Sequence, residues 1–238
     1  MKRRPKSPGL DEKSSVPAAS DRDAILQVKV WLTGISPMVW RRVLVPANFT
    51  LRELHGVIQV AMGWEGIHLY EFHLRAERYG SWEVAASSPD VTLAALRLRK
   101  GARFIYEYDL NIPWRHEVRI EDRLDPDARK TYPVCIGGDG ACPPEDCGGP
   151  ESFMDRRDDR FSFDALEDLD TMVEVLKQVA LKDGSEVLAL DQETRWRLED
   201  AVERARAREQ AQGRPFSRRQ VNASLRAGKH HNLMHQQW

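Results

Sequence analysis

The first clear pattern in the chain is an alternation that begins at Ile25. Leu26, Val28, Val30 and Leu32 alternate with Gln27, Lys29, Trp31 and Thr33, and a period of two predicts a strand with one buried face. A turn over Gly34 to Pro37 leads to a second strand, Val39 to Pro46, as its hairpin partner. That strand places Val39, Arg41, Val43 and Val45 on one face and Trp40, Arg42 and Leu44 on the other. An arginine on a strand is expected to pack its stem and expose its fork.

The period then changes to that of a helix. Thr50 and Glu53 fit a capping box, and Phe49 and Leu54 fit the accompanying hydrophobic staple. Leu51, Leu54, Val57, Ile58 and Ala61 form one apolar stripe with His55 on its flank, and Gly63 supplies the stop. Alternation resumes with Tyr70, Phe72 and Leu74 on the same face as His68, followed by a short strand and turn over SWEVAASSPD and a short helix over Thr92 to Leu98. RFIYEYDL and WRHEVRI make the clearest hairpin, with Phe104, Tyr106 and Tyr108 on one face facing Trp114, His116, Val118 and Ile120. His116 is therefore expected to point into the protein.

Tyr132 to Pro150, YPVCIGGDGACPPEDCGGP, has no period of either kind. Proline removes donors and glycine admits backbone angles closed to other residues, so this stretch is an irregular loop. It carries all three cysteines at spacing C-x6-C-x4-C, together with Asp139, Glu145 and Asp146. Three thiolates and the inward His116 would suit a tetrahedral zinc ion, with Asp139, Glu145 or Asp146 as alternative fourth ligands. The bland alternative is a packed loop whose cysteines serve as small apolar residues and whose two adjacent acids cap loop amides. Acids beside Cys147 argue against a cysteine nucleophile. No catalytic residues are assigned.

Beyond the loop, ESFMDRRDDRFSFD reads as a charged connector. Leu166, Leu169, Met172, Val173, Leu176, Val179 and Ala180 then recur at helical spacing as a core or docking face. A second helix runs from about Asp191 toward Gly213, with a narrow stripe of Trp196, Leu198, Ala201, Val202 and Ala205, and is expected to project and pair with a partner helix.

Charge changes the picture mainly at the ends. The formal net charge is −1, with 41% hydrophobic and 31% charged residues, which supports a real core and excludes a globally basic nucleic-acid binder. No apolar run approaches the roughly 18 residues a membrane span needs. The three clustered cysteines do not form a disulfide framework, so a cytoplasmic location is expected. Residues 1–23 read as a disordered arm, with Lys2, Arg3, Arg4 and Lys6 followed at once by acids. From Gln212 to Trp238 there is no acidic residue. Arg214, Arg218, Arg219, Arg226 and Lys229 make this segment a candidate phosphate-contacting surface, with a solvated tail as the alternative. His231 and His235 stand four apart there without folded support.

Four segments, SPMVWRRVLVP, TLRELHGVIQVAMGWEGIHLYEF, YEYDLNIPWRHEV and CIGGDGACPPEDCGGP, stand in the order found in the Ri-plasmid ORF-three-like family (plasmid pRiA4b ORF-3-like). The chain resembles that family from about Ile25 to Pro150, with PFSRRQVNASLR a weaker echo. The resemblance implies an α+β domain without established catalytic chemistry, among proteins described as transposon passengers or, by association, as TnpR-like resolvases. A serine recombinase needs an activated serine with an arginine cluster, and no stretch here resembles that region. One turn departs from the family pattern. Asn111, Ile112 and Pro113 stand where a glycine-aspartate-glycine loop is usual, so the acid of that turn is replaced by Ile112.

The expectation is an α+β fold: a mixed, mainly antiparallel sheet packed with helices, plus a C-terminal helical segment. Residues 1–23 form the arm, 24–150 the core domain, 151–211 the helical segment and 212–238 a basic, flexible tail. The expected role is a non-enzymatic accessory or binding protein that contacts DNA, RNA or a protein partner, with no membrane. A zinc module built on Cys135, Cys142, Cys147 and His116 is the alternative, and a recombinase a distant third.

Overall fold

The computed structural model describes residues 23–158, 162–181 and 191–234. Apart from Asp23, the expected arm lies outside the described residues, as does His235.

The alternating segments form one seven-stranded sheet in the order β4-β3-β5-β6-β1-β2-β7. Strands β1 (Ile25–Leu32) and β2 (Trp40–Pro46) pair as the expected hairpin, with Val28 opposite Val43 and Val30 opposite Arg41. Helix α1 (Leu51–Met62) follows, and β3 (Tyr70–Leu74) and β4 (Glu77–Gly80) make a short edge hairpin. Strands β5 (Arg103–Tyr108) and β6 (Trp114–Leu124) complete the aromatic hairpin, with Tyr106 opposite His116 and Tyr108 opposite Trp114. β7 (Val134–Asp139) closes the far edge against β2. Every strand ladder is antiparallel, so the α+β class holds and the sheet is simpler than the mixed one expected.

Capping at α1 follows the sequence closely. Thr50 Oγ1 accepts from Glu53 N at 3.1 Å, Glu53 Oε2 accepts from Thr50 N at 2.7 Å, and Gly63 ends the helix in the left-handed region. The helix lays Leu51, Leu54, Val57, Ile58 and Ala61 on the core face of the sheet, where Val28, Val30, Phe72, Tyr106 and Val118 are also buried. On the opposite face lie Gln27, Lys29, Trp31, Trp40 and Arg42. There the Lys29 ammonium lies over both indoles, and Arg42 binds Glu121 while lying over Trp40. One dry face and one polar face is the usual economy of an antiparallel sheet.

Four local expectations are corrected. Val134–Asp139, within the stretch Tyr132–Pro150 read as irregular loop, is strand β7, paired antiparallel with β2. Trp82–Val84 is a 3₁₀ turn rather than a strand, the strand being Glu77–Gly80 just before it. Residues 92–98 form turns rather than a helix, with Arg97 at φ +50, an angle no right-handed helix accepts. The charged connector is instead α2 (Gly149–Asp158), anchored by buried Phe153.

Helices α3 (Phe163–Leu181) and α4 (Gln192–Ala211) pack against each other. Asp168 on α3 is buried and accepts from Arg204, with Nη2 at 2.5 Å, and from Arg208. These bonds, Arg204 first, hold its carboxyl below the usual aspartate range. The helix expected to project thus has its partner within the chain. The buried side of α3 is Ala165, Asp168 and Val175, whereas Leu166, Leu169, Val173 and Leu176 are exposed to solvent among the described residues.

Candidate functional site

The site is built where the cysteine loop meets the basic C-terminal segment, and the contact begins at the sheet edge. Beside a register shift between Arg42 and Val43, Cys135 stands opposite Val43, while its backbone N–H and C=O bond outside the sheet. Helix α5 (Arg218–Arg226) covers them. Asn222 Oδ1 accepts from Cys135 N at 2.7 Å, and Asn222 Nδ2 donates to Cys135 O at 2.8 Å. One side-chain amide therefore replaces a neighbouring strand on an otherwise open edge.

Two further contacts fasten the segment. Cys142 and Arg214 exchange backbone hydrogen bonds of 2.9 and 2.8 Å. A Cβ on neighbouring Gly213 would stand 2.0 Å from the Cys142 carbonyl oxygen, so only glycine permits this approach. Phe216 lies over Gly138, where an added Cβ would meet its ring at 2.7 Å. Val221 and Leu225 are buried on α5, and α6 (Lys229–Asn232) seats His230 against α1. The segment read as a flexible tail is, through Met234, a folded layer of the domain.

Arg41 joins these parts. It is 1% exposed, contrary to the expectation that its fork reaches solvent. Nε donates to Ala61 O at 2.9 Å, Nη1 to Trp40 O at 2.8 Å and Asp139 O at 2.7 Å, and Nη2 to Gly140 O at 3.2 Å. Its guanidinium stacks 4.5 Å from the Phe216 ring centroid. The acceptors belong to β2, to the C-terminal turn of α1 and to the loop after β7, so one side chain ties three elements together. Burial lowers its pKa from the free arginine value, and no carboxylate among the described residues forms an ion pair with it.

The loop itself is fixed by indoles. Trp64 Nε1 donates to Pro143 O at 2.9 Å and Trp114 Nε1 to Glu145 O at 3.0 Å. Glu145 accepts from the Tyr108 hydroxyl and, at 2.6 Å, from Glu65 N, while Asp146 meets His68 Nε2 at 2.7 Å. The two acids thus serve a loop amide, a phenol and an imidazole. His68 and Tyr108 were not singled out as site residues from sequence, because their partners lie 78 and 37 residues away.

The zinc set is corrected. Among the described residues, no group of three or more His, Cys, Asp or Glu side chains comes together to hold a metal ion. Cys135 Sγ turns to Gly137 O at 3.4 Å, Cys142 is bridged to Arg214, and Cys147 sits near the start of α2. His116 is fully buried under the edge of the Trp64 ring, at a centroid distance of 5.4 Å, and that indole bonds the loop. Burial pushes all three thiols up, Cys142 to about 12, and drives His116 down to about 3. In this structure the three thiols are packed as buried side chains.

A cavity of about 490 Å³ opens beside this junction, within the size range of small-molecule sites. Arg41, Trp64, Glu65, Arg214, Phe216 and Lys229 contribute to its wall. Ser217 and Gln220, in the cap and first turn of α5, complete the polar side. Of the five basic residues named from sequence, the structure brings Arg214 and Lys229 to this wall. Arg218, Arg219 and Arg226 stand on the exposed side of α5.

The pattern of strands, helix and cysteine loop agrees with a family model described as plasmid pRiA4b ORF-3-like protein, which matches residues 24–183. The chain belongs to that family. It is 36% identical over 139 residues to an uncharacterized protein, y4hQ, of Sinorhizobium fredii (strain NBRC 101917 / NGR234), covering 56% of this chain and 71% of the relative. It is also similar to the crystal structure of a protein of unknown function from Methanosarcina mazei Go1. That likeness has a TM-score of 0.54 and 30% identity, over 59% of this chain and 83% of the other. The family match stops before the basic segment that completes the junction. No helix among the described residues is long and apolar enough to cross a membrane.

Proposed function

We propose that the protein is a non-enzymatic binding protein whose contact surface is the basic C-terminal segment, with nucleic acid as the partner. The observation that carries this reading is the state of five cations. Arg214, Arg218, Arg219, Arg226 and Lys229 are all exposed, and none forms an ion pair with a carboxylate among the described residues. Elsewhere arginines are commonly paired, as Arg42 is with Glu121 and Arg204 with Asp168. Unpaired cations on a docked helix are free to neutralise phosphates, and their anchored backbone spares the ordering cost a flexible tail would bear.

Fluorescence anisotropy with a labelled duplex, repeated across salt concentrations, tests it. Binding at about 50 mM salt is expected, with log affinity falling linearly in log salt. Replacing Arg218 and Arg219 by alanine is expected to flatten that slope by about 2. Absence of binding at low salt, or a slope untouched by the double substitution, overturns the reading.

A further inference from the structure

We infer that the cavity between the C-terminal end of α1 and the α5–α6 layer is a binding site for a small organic anion, one that bears a phosphate or carboxylate head. This goes beyond contact with a macromolecule: of the five cations on which that contact rests, Arg218, Arg219 and Arg226 do not line the cavity, whereas Arg214 and Lys229 do.

Four independent features converge on negative charge. The first is Arg41, a nearly fully buried guanidinium in the cavity wall whose acceptors are four neutral carbonyls. Such a buried cation lacks a full counter-charge, which an anion would supply. Asp139 is close enough to favour its charged form, yet it spends Oδ1 on Gly140 N at 2.8 Å. The second and third are Arg214 and Lys229, both without an ion pair among the described residues. An added Cβ on Gly63 would lie 3.6 Å from Arg214 Nη1, which shows how closely this guanidinium lies over the bare backbone at the end of α1. The fourth is the start of α5, which has no acidic residue in its first turn and presents Ser217 and Gln220 to the cavity. A helix N-terminus of this kind adds positive partial charge, its Gln220 N–H being already taken by Ser217 Oγ. Against three cations the wall carries one carboxylate, Glu65. Apart from Ser224 and Asn232, the remaining wall is mainly apolar, including Val60, Met62, Ile67, Val221 and Leu233, and suits a ligand body larger than a bare ion.

Isothermal titration of the full chain tests the site with three probes: inorganic phosphate, acetate, and a nucleoside monophosphate as a phosphate with an organic body. Saturable one-to-one binding is expected for at least one of them, and the preferred probe identifies the head group and whether the body contributes. Lys229→Met is expected to weaken that binding about tenfold. Ser224→Trp, which fills the cavity from an outer turn of α5, is expected to abolish it while leaving the salt slope of DNA binding unchanged. Both variants are checked for a melting temperature close to that of the parent. No saturation by any probe up to about 10 mM, or saturation equal in both folded variants and the parent, overturns the proposal; either result leaves the DNA titration of Arg218 and Arg219 standing as a separate test.

Discussion

Three histidines show how far single residues in this protein are committed to one protonation state. His55 and His116 are completely enclosed, and burial holds both at about 3; His230 is held at about 4 by burial and by neighbouring His231. His55 meets the Tyr106 hydroxyl at 2.7 Å and stacks on Tyr70, so its neutral ring is part of the packing between α1 and the sheet. In the unfolded chain these rings take up protons near pH 6.5, whereas the folded chain leaves them neutral. The unfolded state therefore binds more protons below that pH, and stability falls as pH drops from about 6.5 toward 3 to 4. Urea unfolding at pH 7.5, 6 and 4.5 is expected to show a midpoint that declines stepwise. His230→Gln, which removes one ionisable ring, is expected to give a shallower decline, and an equal decline in both proteins would show that His230 does not contribute. Arg41 is the complementary case, a charge retained inside because four carbonyls surround it. The strand pattern places Arg41 on the inward face beside Val43 and Val45, but fork burial depended on acceptors 20 and about 98 residues away in the chain.

At the scale of elements, α5 behaves as an eighth member of the sheet edge. Its Asn222 satisfies both backbone groups of Cys135, which β7 otherwise leaves unpaired. Replacing Asn222 by alanine strands a part-buried donor and acceptor, at a cost of about 1–3 kcal/mol. The expected result is a lower melting temperature together with faster amide exchange at Cys135; unchanged exchange at that amide would remove Asn222 from this role. The aromatic hairpin, the capping box of α1 and the helices α3 and α4 were each legible locally, from alternation, capping or helical spacing, but the packing of α3 on α4 was not. The short helix expected over residues 92–98 was not. Its apolar residues Leu93, Ala94 and Leu98 are buried, but turns and the left-handed Arg97 place them there instead of a helical stripe.

The whole molecule depends on its C-terminal segment. Val221 and Leu225 are buried in the same hydrophobic cluster as β1 and α1, and half-buried Phe216 and Leu233 pack against it for a smaller share. Burying side chains of this size stabilises by about 1.5–3 kcal/mol each, against a typical total stability of about 5–15 kcal/mol. A chain ending at Gln212 is therefore expected to melt far below the full chain or not to fold, as measured by circular dichroism. A melting temperature within a few degrees of the parent would show the segment to be dispensable.

The sequence by itself determined elements that arise from local repetition and capping: β1, β2, β3, β5, β6, α1 and the long helices, whereas the stretch Tyr132–Pro150 read as irregular loop also supplies edge strand β7. It also marked the basic residues and the inward His116. Only the tertiary structure decided what these parts are for one another. Spacing within the loop suggested a common ligand for Cys135, Cys142 and Cys147, yet no such group comes together among the described residues, and the loop backbone instead meets Asn222, Phe216 and Arg214. Those contacts join residues about 70 to 90 positions apart, and no local period encodes which distant backbone group a side chain will satisfy.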